Sequence, residues 1–496
     1  MRGNLTVSHA YDDSVTYLNT NYPNLIINVT DGKYIRFADK EVEKICAANW
    51  GDGTGITTTQ AAVVSSIGTT FIYNENIISF EEFKYFTNVT YLQGSNSSAN
   101  PGAFNGCTSL KKIILPSSIT DIQEGSFYNC AITYINLENI KTLGYNCFSY
   151  CPLNMELSMP NLTGSFFGFA GTNITKIIDL GKVTSIVGSG DSYNTYDAAL
   201  GSCHYLTEVI LPDTMTSITG MIDCTALEKV SFNNNVTIIG NSTFEGCTKL
   251  TSIGDVSNVT SIGDSAFYNC TKLTSIGNLT NITSIGSSSF NGCSSLKSFD
   301  IGKIIKIPNS AFSGCTSLET IDLTNVTYIG ANAFYNCSSL KNIGSLEKIT
   351  YIGNYSTFGN CSSLVIDLNL PNLEYFAGSF NGSGITNIVN LGKIKIIEWA
   401  ASFTSCLNLK TAILPDTLTE IASSLFAYNT NIKWVKCLAV NVPTLDNNSA
   451  FISNNIQYPI YVPDNSVDLY KAATNWSTYA SRIFSLTQFA TDFPNV

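Results

Sequence analysis

Along most of this chain the apolar residues return in short, widely spaced pairs instead of long amphipathic runs. In the stretch 267–290 they fall at Phe267, Cys270, Leu273, Ile276, Leu279, Ile282 and Ile285, and Phe290 opens the next unit. Leu273-x-x-Ile276 and Ile282-x-x-Ile285 read as short strands whose apolar side chains turn inward while the residues between them face solvent. Gly277 and Gly286 follow the second member of each pair, where a turn of the backbone would leave no room for a side chain. The Phe-x-x-Cys pair that begins this unit recurs about every 23 residues, from Phe104/Cys107 to Phe403/Cys406. Self-similarity at this interval predicts a repeat solenoid, in which a unit too small to bury its own apolar face is stacked on copies of itself.

The fullest repeat is Ala103-Phe104-x-x-Cys107-x-x-Leu110-x-x-Ile113-x-Leu115-Pro116-x-x-Ile119-x-x-Ile122. Parts of it return at Leu206-x-x-Val209-x-Leu211-Pro212 and, with the spacing slipped by one, at Leu409 and Ile413-Leu414-Pro415. This resembles the leucine-rich repeat of the BspA-type family, and the resemblance runs from Gly102 to Asn429 in about fifteen coils. It implies a leucine-rich repeat array of short strands. Members of that family are surface adhesins of gut and oral bacteria and of some protists, and similar repeats occur in phages of gut bacteria.

An array of stacked strands exposes unpaired edges at its two ends, so caps are expected there. At the front, Asp39–Ala48, Thr58–Ile67 and Ser79–Phe86 read as short helices around an Ile35-x-Phe37 strand. At the back, Val467–Ala473 and Trp476–Phe484 follow a Tyr461-Val462-Pro463-Asp464 stop and read as a strand plus helix. The expected organisation is an α/β cap or attachment domain over 1–88, the solenoid over 89–430 and a capping segment over 431–496.

Composition narrows the partners. Charged residues make up only 13% of the chain, and the formal charge is -11 with three arginines, Arg2, Arg36 and Arg482. That removes the basic footprint needed for phosphate backbones, so nucleic acid is not an expected partner. No stretch approaches the roughly 20 apolar residues of a membrane span, and Met1–Ala10 lacks the apolar core of a secretory signal. Either a leader is missing from this chain or the protein reaches the outside by another route, and the second case favours a virion-borne receptor binder.

Fifteen cysteines would suggest disulfides in a small secreted domain, but twelve of them share one repeat position: Cys107, Cys130, Cys151, Cys203, Cys224, Cys247, Cys270, Cys293, Cys315, Cys337, Cys361 and Cys406. Stacked coils would set these thiols about 5 Å apart on parallel Cα–Cβ vectors, which is wrong for a disulfide. They read as a buried ladder of free thiols. Metal ligation needs donors that converge on one point, whereas these are spread along an axis.

Candidate chemistry is sparse. Asn49-Trp50-Gly51-Asp52-Gly53-Thr54-Gly55-Ile56-Thr57 resembles a worn dockerin or EF-hand loop. With Gly55 as the sixth-position glycine, Asp52 is its one carboxylate ligand and Ala61 stands where a bidentate Glu belongs, so Asp52 is a weak metal candidate beside a plain helix–helix turn. No motif calls for a cofactor. His9 and His204 have no nucleophile motif around them. Asp300 and Asp322 recur at matched positions one coil apart, like a glycosidase pair, but without the shaped cleft such enzymes need.

Two irregularities suggest a binding face. The outward residue before the last apolar position of each coil is Ser217, Ser261, Ser284 and Lys306 in four coils, then Tyr328, Tyr351 and Tyr375 in three consecutive ones. Stacked at coil spacing, the tyrosines would form an aromatic stripe suited to proteins and glycans alike, or one that only stabilises the sheet. The second is an insertion of nine residues after Ile186 that includes Asp191, Tyr193, Tyr196 and Asp197. Insertions in solenoids often sit on a binding face, although a neutral loop costs little. The repeated Asn-x-Thr sequences, as at Asn258, Asn281 and Asn325, read as a turn-forming Asn followed by a strand-forming Thr.

These features together point to a non-enzymatic recognition protein outside the cell, on a bacterial surface or a phage virion, binding a cell-surface protein or glycan. The alternative is a polysaccharide-acting enzyme or an enzyme-associated glycan-binding module.

Overall fold

The computed structural model describes residues 4–7, 26–29, 34–94, 101–186, 198–231, 234–377, 380–398, 401–452 and 457–495. The chain divides into two compact units, Met1–Val183 and Thr184–Val496. Each is a parallel β-solenoid, and together they carry about fifteen coils of about 23 residues.

In the first unit, helix α1 (Lys40–Trp50) starts at Asp39, whose Oδ1 accepts the Glu41 and Val42 N–H groups. The other carboxylate oxygen accepts the N–H groups of Ile78 at 2.5 Å and Ser79 at 3.2 Å, so one side chain ties the helix start to the first rung. Helix α2 (Thr58–Val63) opens with a capping box between Thr57 and Gln60. Three local expectations fail here. Ile35–Phe37 is not a strand, α2 ends at Val63, and Ser79–Phe86 is a two-residue strand, Ser79–Phe80, followed by a 3-10 helix, Glu81–Tyr85. The strand wins because Ser79–Phe80 pairs in parallel with Lys112–Ile113, and Phe80 is wholly buried. The repeat's own contacts already include Phe71, whose ring stacks on Phe104 at 5.3 Å.

In the second unit, parallel pairs repeat rung by rung. Ser217–Ile218, Ile238–Ile239, Ser261–Ile262 and Ser284–Ile285 align residue for residue, with the second residue of each pair buried. Inside, a phenylalanine column runs through Phe267, Phe290, Phe312 and Phe334 at ring separations of 5.2, 5.5 and 5.6 Å, with planes within 6° of parallel. All fifteen cysteines are free and buried. The residue before each ladder cysteine is left-handed whatever its type, for example Asn269 at φ 58°, Gly292 at 78°, Ser405 at 57° and Asp223 at 56°. Gly, Asn, Ser and Asp fill most of these corners because they tolerate that region.

The two glycines of the 267–290 unit turn out to do different things. Gly277 has φ +91°, a turn as expected. Gly286 does not adopt positive φ; a Cβ there would come within 2.3 Å of Asp264 N and 2.4 Å of Gly263 C, so it is required by the close approach of the neighbouring rung.

Towards the C-terminus, strands Trp434–Cys437, Ile460–Val462 and Ile483–Ser485 continue the parallel pairing. Helix α3 (Val467–Ala472) and a 3-10 helix, Trp476–Arg482, come before the last strand. A final helix, α4 (Leu486–Asp492), was not foreseen. Its Phe489 packs edge-on at 5.0 Å against both Trp434 and Tyr461 on the outer side of the sheet.

Candidate functional site

Lys306–Ile307, Tyr328–Ile329, Tyr351–Ile352 and Tyr375–Phe376 form one four-stranded parallel sheet, paired in register so that Tyr328 faces Tyr351 and Tyr351 faces Tyr375. Alternation along a strand sends Ile329, Ile352 and Phe376 into the core and the tyrosines outward, where they stay half-buried. Their rings stack at 4.4 and 4.6 Å with 9° between planes in each pair. The middle ring, Tyr351, therefore has both faces covered by its neighbours.

The far end of the stack is fixed by polar partners that the sequence pattern did not reveal. Tyr375 Oη lies 3.1 Å from both Asn354 Oδ1 and Glu398 Oε2, and can donate its one proton to either. Burial pushes the Tyr351 phenol above its ordinary pKa, with Tyr328 adding to it, and pushes Tyr375 the same way together with Glu398. Both hydroxyls thus remain protonated donors at neutral pH. The sheet ends at Tyr375–Phe376 and a new one begins at Ile396–Ile397. At that break lies an open depression of about 310 Å³ lined by Glu374, Tyr375, Lys393, Lys395, Ile396 and Glu398.

The remaining candidates lie elsewhere. Asp300 and Asp322 line a separate open depression of about 490 Å³ with Ser298, Thr320, Thr324 and Asn342. Each carboxylate closes a local turn: Asp300 accepts the Gly302 N–H at 2.9 Å, and Asp322 accepts the N–H of Thr324 at 3.0 Å and its hydroxyl at 2.5 Å. The Thr324 hydroxyl is the main reason the Asp322 pKa lies below its usual value, whereas a general acid needs a raised one. Asp52 accepts the N–H groups of Thr54 and Gly55 at 3.0 and 3.1 Å and the Tyr34 hydroxyl, which makes it a turn-forming side chain. Among the described residues no three His, Cys, Asp or Glu side chains gather as a metal cluster. His204 Nδ1 lies 3.1 Å from the Asp223 carbonyl. Asp191, Tyr193, Tyr196 and Asp197 lie outside the described residues.

The Asn-x-Thr sequences gain a physical reason. Asn258 and Asn281 each donate a side-chain amide proton to a carbonyl of the preceding coil, Asn234 at 2.6 Å and Ser257 at 2.9 Å. Two residues on, Thr260 and Thr283 donate their hydroxyls to Thr237 and Thr260 carbonyls at 3.2 and 3.0 Å.

Parallel coils, an inner phenylalanine and thiol column and left-handed corners define a leucine-rich repeat solenoid. The model of the BspA-type leucine-rich repeat region matches this chain over 76–193, 183–295, 249–365, 302–401 and 370–478, and the chain belongs to that family. Among solved structures, it is similar to a leucine-rich repeat protein from Bacteroides ovatus, with 22% identity over 75% of this chain and 87% of that one and a TM-score of 0.44. It is also similar to one from Eubacterium ventriosum, with 20% identity, coverage of 62% and 84%, and a TM-score of 0.42. A leucine-rich cell surface protein from Faecalibacterium prausnitzii matches at 18% identity, with coverage of 78% and 86% and a TM-score of 0.30. No curated protein matches it. Among the described residues no helix is long and apolar enough to cross a membrane.

Proposed function

We propose that this protein is a non-enzymatic recognition protein that works outside the cell, on a bacterial surface or a phage virion, and binds a host or partner-cell surface macromolecule through the outer face of its second unit. The observation that carries this reading is the in-register stack of Tyr328, Tyr351 and Tyr375 on the outward side of the sheet. Tyrosines with apolar bodies and polar tips are over-represented where proteins make contact. Family membership supports a surface role. In this reading residues 1–88 cap or attach the array, 89–430 present the binding face and 431–496 close it.

The test is attachment of the labelled full chain to a panel of epithelial and bacterial cells, compared with a chain carrying Tyr328→Ser, Tyr351→Ser and Tyr375→Ser. Loss of attachment with nearly unchanged thermal unfolding supports the reading. Undiminished attachment, or breakdown of a capsular polysaccharide by the purified chain, replaces it; the second outcome would point to the Asp300 and Asp322 depression.

A further inference from the structure

Three residues before the tyrosine position, each coil of the second unit has an outward position with a pattern of its own. It holds Asn235, Asn258 and Asn281 in three successive coils and then alternates as Lys303, Asn325, Lys348, Asn372 and Lys393. The asparagines belong to the architecture: Asn235, Asn258, Asn281 and Asn372 each donate an amide proton to a carbonyl of the coil before, at 2.5–2.9 Å. The lysines at this position bond along the row instead, Lys303 Nζ to Asn281 Oδ1 at 3.4 Å and Lys348 Nζ to Asn325 Oδ1 at 2.7 Å. Lys303, Lys348 and Lys393 are all exposed. Each stands where asparagine would tie two coils together, so the stability of the array does not account for them.

Neighbouring rungs lie about 4.8 Å apart, so lysines on every second rung set one positive charge about every 10 Å. Lys348 and Lys393 border an open depression of about 370 Å³ with Thr327, Thr350, Asn372 and Glu374, and it meets the depression beside Tyr375 at Glu374 and Lys393. Glu374 selects the ligand. A polymer charged on every unit, such as a nucleic-acid strand, would bring a like charge to this carboxylate between the lysines. A neutral sugar would instead offer it hydroxyl protons. The Thr327 and Thr350 hydroxyls donate to the Ile305 and Thr327 carbonyls at 3.3 and 3.2 Å, which leaves their lone pairs as further acceptors. A sugar residue is about as long as one rung. We infer that this row is a track for a linear acidic polysaccharide with a carboxylate on every second sugar, its carboxylates on Lys303, Lys348 and Lys393 and the hydroxyls of its neutral sugars on Glu374 and the threonines. This rests on the recognition role proposed above and names its ligand.

The experiment measures binding of the full chain to hyaluronate, in which a carboxylate-bearing sugar alternates with a neutral one, beside polygalacturonate, charged on every sugar, and uncharged dextran. Hyaluronate should bind best and dextran not at all, and added salt should weaken binding. Lys303→Asn, Lys348→Asn and Lys393→Asn together should weaken it about tenfold, the sum of three exposed ion pairs, with Tm kept within about 2 °C. Lys249→Asn, Lys272→Asn and Lys297→Asn, which remove the same charge outside the row, should leave binding at the native level. Glu374→Gln should shift preference towards polygalacturonate. No binding to hyaluronate, equal binding of all three polymers, or equal loss in both triple variants overturns the inference. Unchanged binding in the row variant also overturns it. If that variant loses Tm as well as binding, the Glu374→Gln shift decides, and its absence overturns the track. Cell attachment that needs the tyrosines while no acidic polysaccharide binds removes this inference alone. Attachment that survives the triple serine variant removes the recognition reading itself.

Discussion

Cys270 donates its thiol proton to the carbonyl of Phe244, 3.0 Å away and 26 residues earlier in the chain. The relationship repeats up the second unit: Cys293 to Phe267 at 3.1 Å, Cys315 to Phe290 at 3.2 Å, Cys337 to Phe312 at 3.1 Å and Cys361 to Phe334 at 3.2 Å. Phenylalanine and cysteine therefore recur together for two reasons. The ring fills the column, and the buried thiol finds its acceptor in a carbonyl of the previous rung, one that also accepts an N–H of its own coil, as Phe244 does from Cys247 at 3.0 Å.

The thiols give a pH prediction. Burial pushes Cys361 and Cys406 from 9.0 up to about 12 and Cys437 to about 11. An acid whose folded pKa is raised contributes stability below its unfolded pKa and loses it as pH climbs towards the folded one. Tm should hold up to about pH 8.5 and then fall steeply through pH 11. A thiol reagent should titrate almost nothing in the native chain and all fifteen cysteines after denaturation. Rapid labelling of the native protein would show that the ladder is not closed.

The two glycines should respond differently to alanine. Gly277→Ala meets nothing nearer than 3.4 Å and costs its left-handed conformation, about 1 kcal/mol. Gly286→Ala drives a methyl group into the backbone of the adjoining rung and should cost more, about 2–4 kcal/mol. Chemical denaturation of both variants checks the order, and equal costs would mean that the rungs part easily at Gly286.

Asp39 is under opposing influences. Burial, the largest single influence, raises its pKa, but N–H donors from Ile78, Ser79, Glu41 and Val42 outweigh it and leave the carboxyl below its ordinary value. Its contribution is therefore present above pH 4 or so and fades as pH falls through the depressed folded pKa. Asp39→Ala should destabilise the first unit by about 1–2 kcal/mol at pH 7 and by less at pH 3. A pH-independent difference would mean that the charge is not what matters.

Asn281 offers a contrast between two substitutions. Asn281→Ala loses a bond to the Ser257 carbonyl, about 1 kcal/mol. Asn281→Asp is close to isosteric, yet it sets a carboxylate oxygen against that carbonyl and should be the worse of the two above pH 5. Thermal melts at pH 7 rank them, and a harmless aspartate would contradict the assigned amide contact.

How much of this was legible in the chain depends on which residues carry the information. The stack of Tyr328, Tyr351 and Tyr375 follows from the repeat alone, because parallel in-register coils bring equal positions one rung apart. Asn354 and Glu398 did not follow, since they reach Tyr375 from offsets of 21 and 23 residues on different coils. Gly277 and Gly286 look alike in sequence, and only the distance to the next rung tells them apart. Ser79–Phe80 opens a segment expected as helix, and pairing with Lys112–Ile113, which no local pattern announces, makes it a strand instead.

The absence of disulfides bears on how this protein would carry load. Neighbouring rungs of the second unit are joined only by weak reversible bonds such as thiol to carbonyl, asparagine to carbonyl and strand to strand. Pulled from an end, such an array peels instead of snapping, and each coil set loose pays out roughly 75 Å of extended chain. An array loaded this way would yield under a tug and re-form when the pull eases, with no covalent link broken.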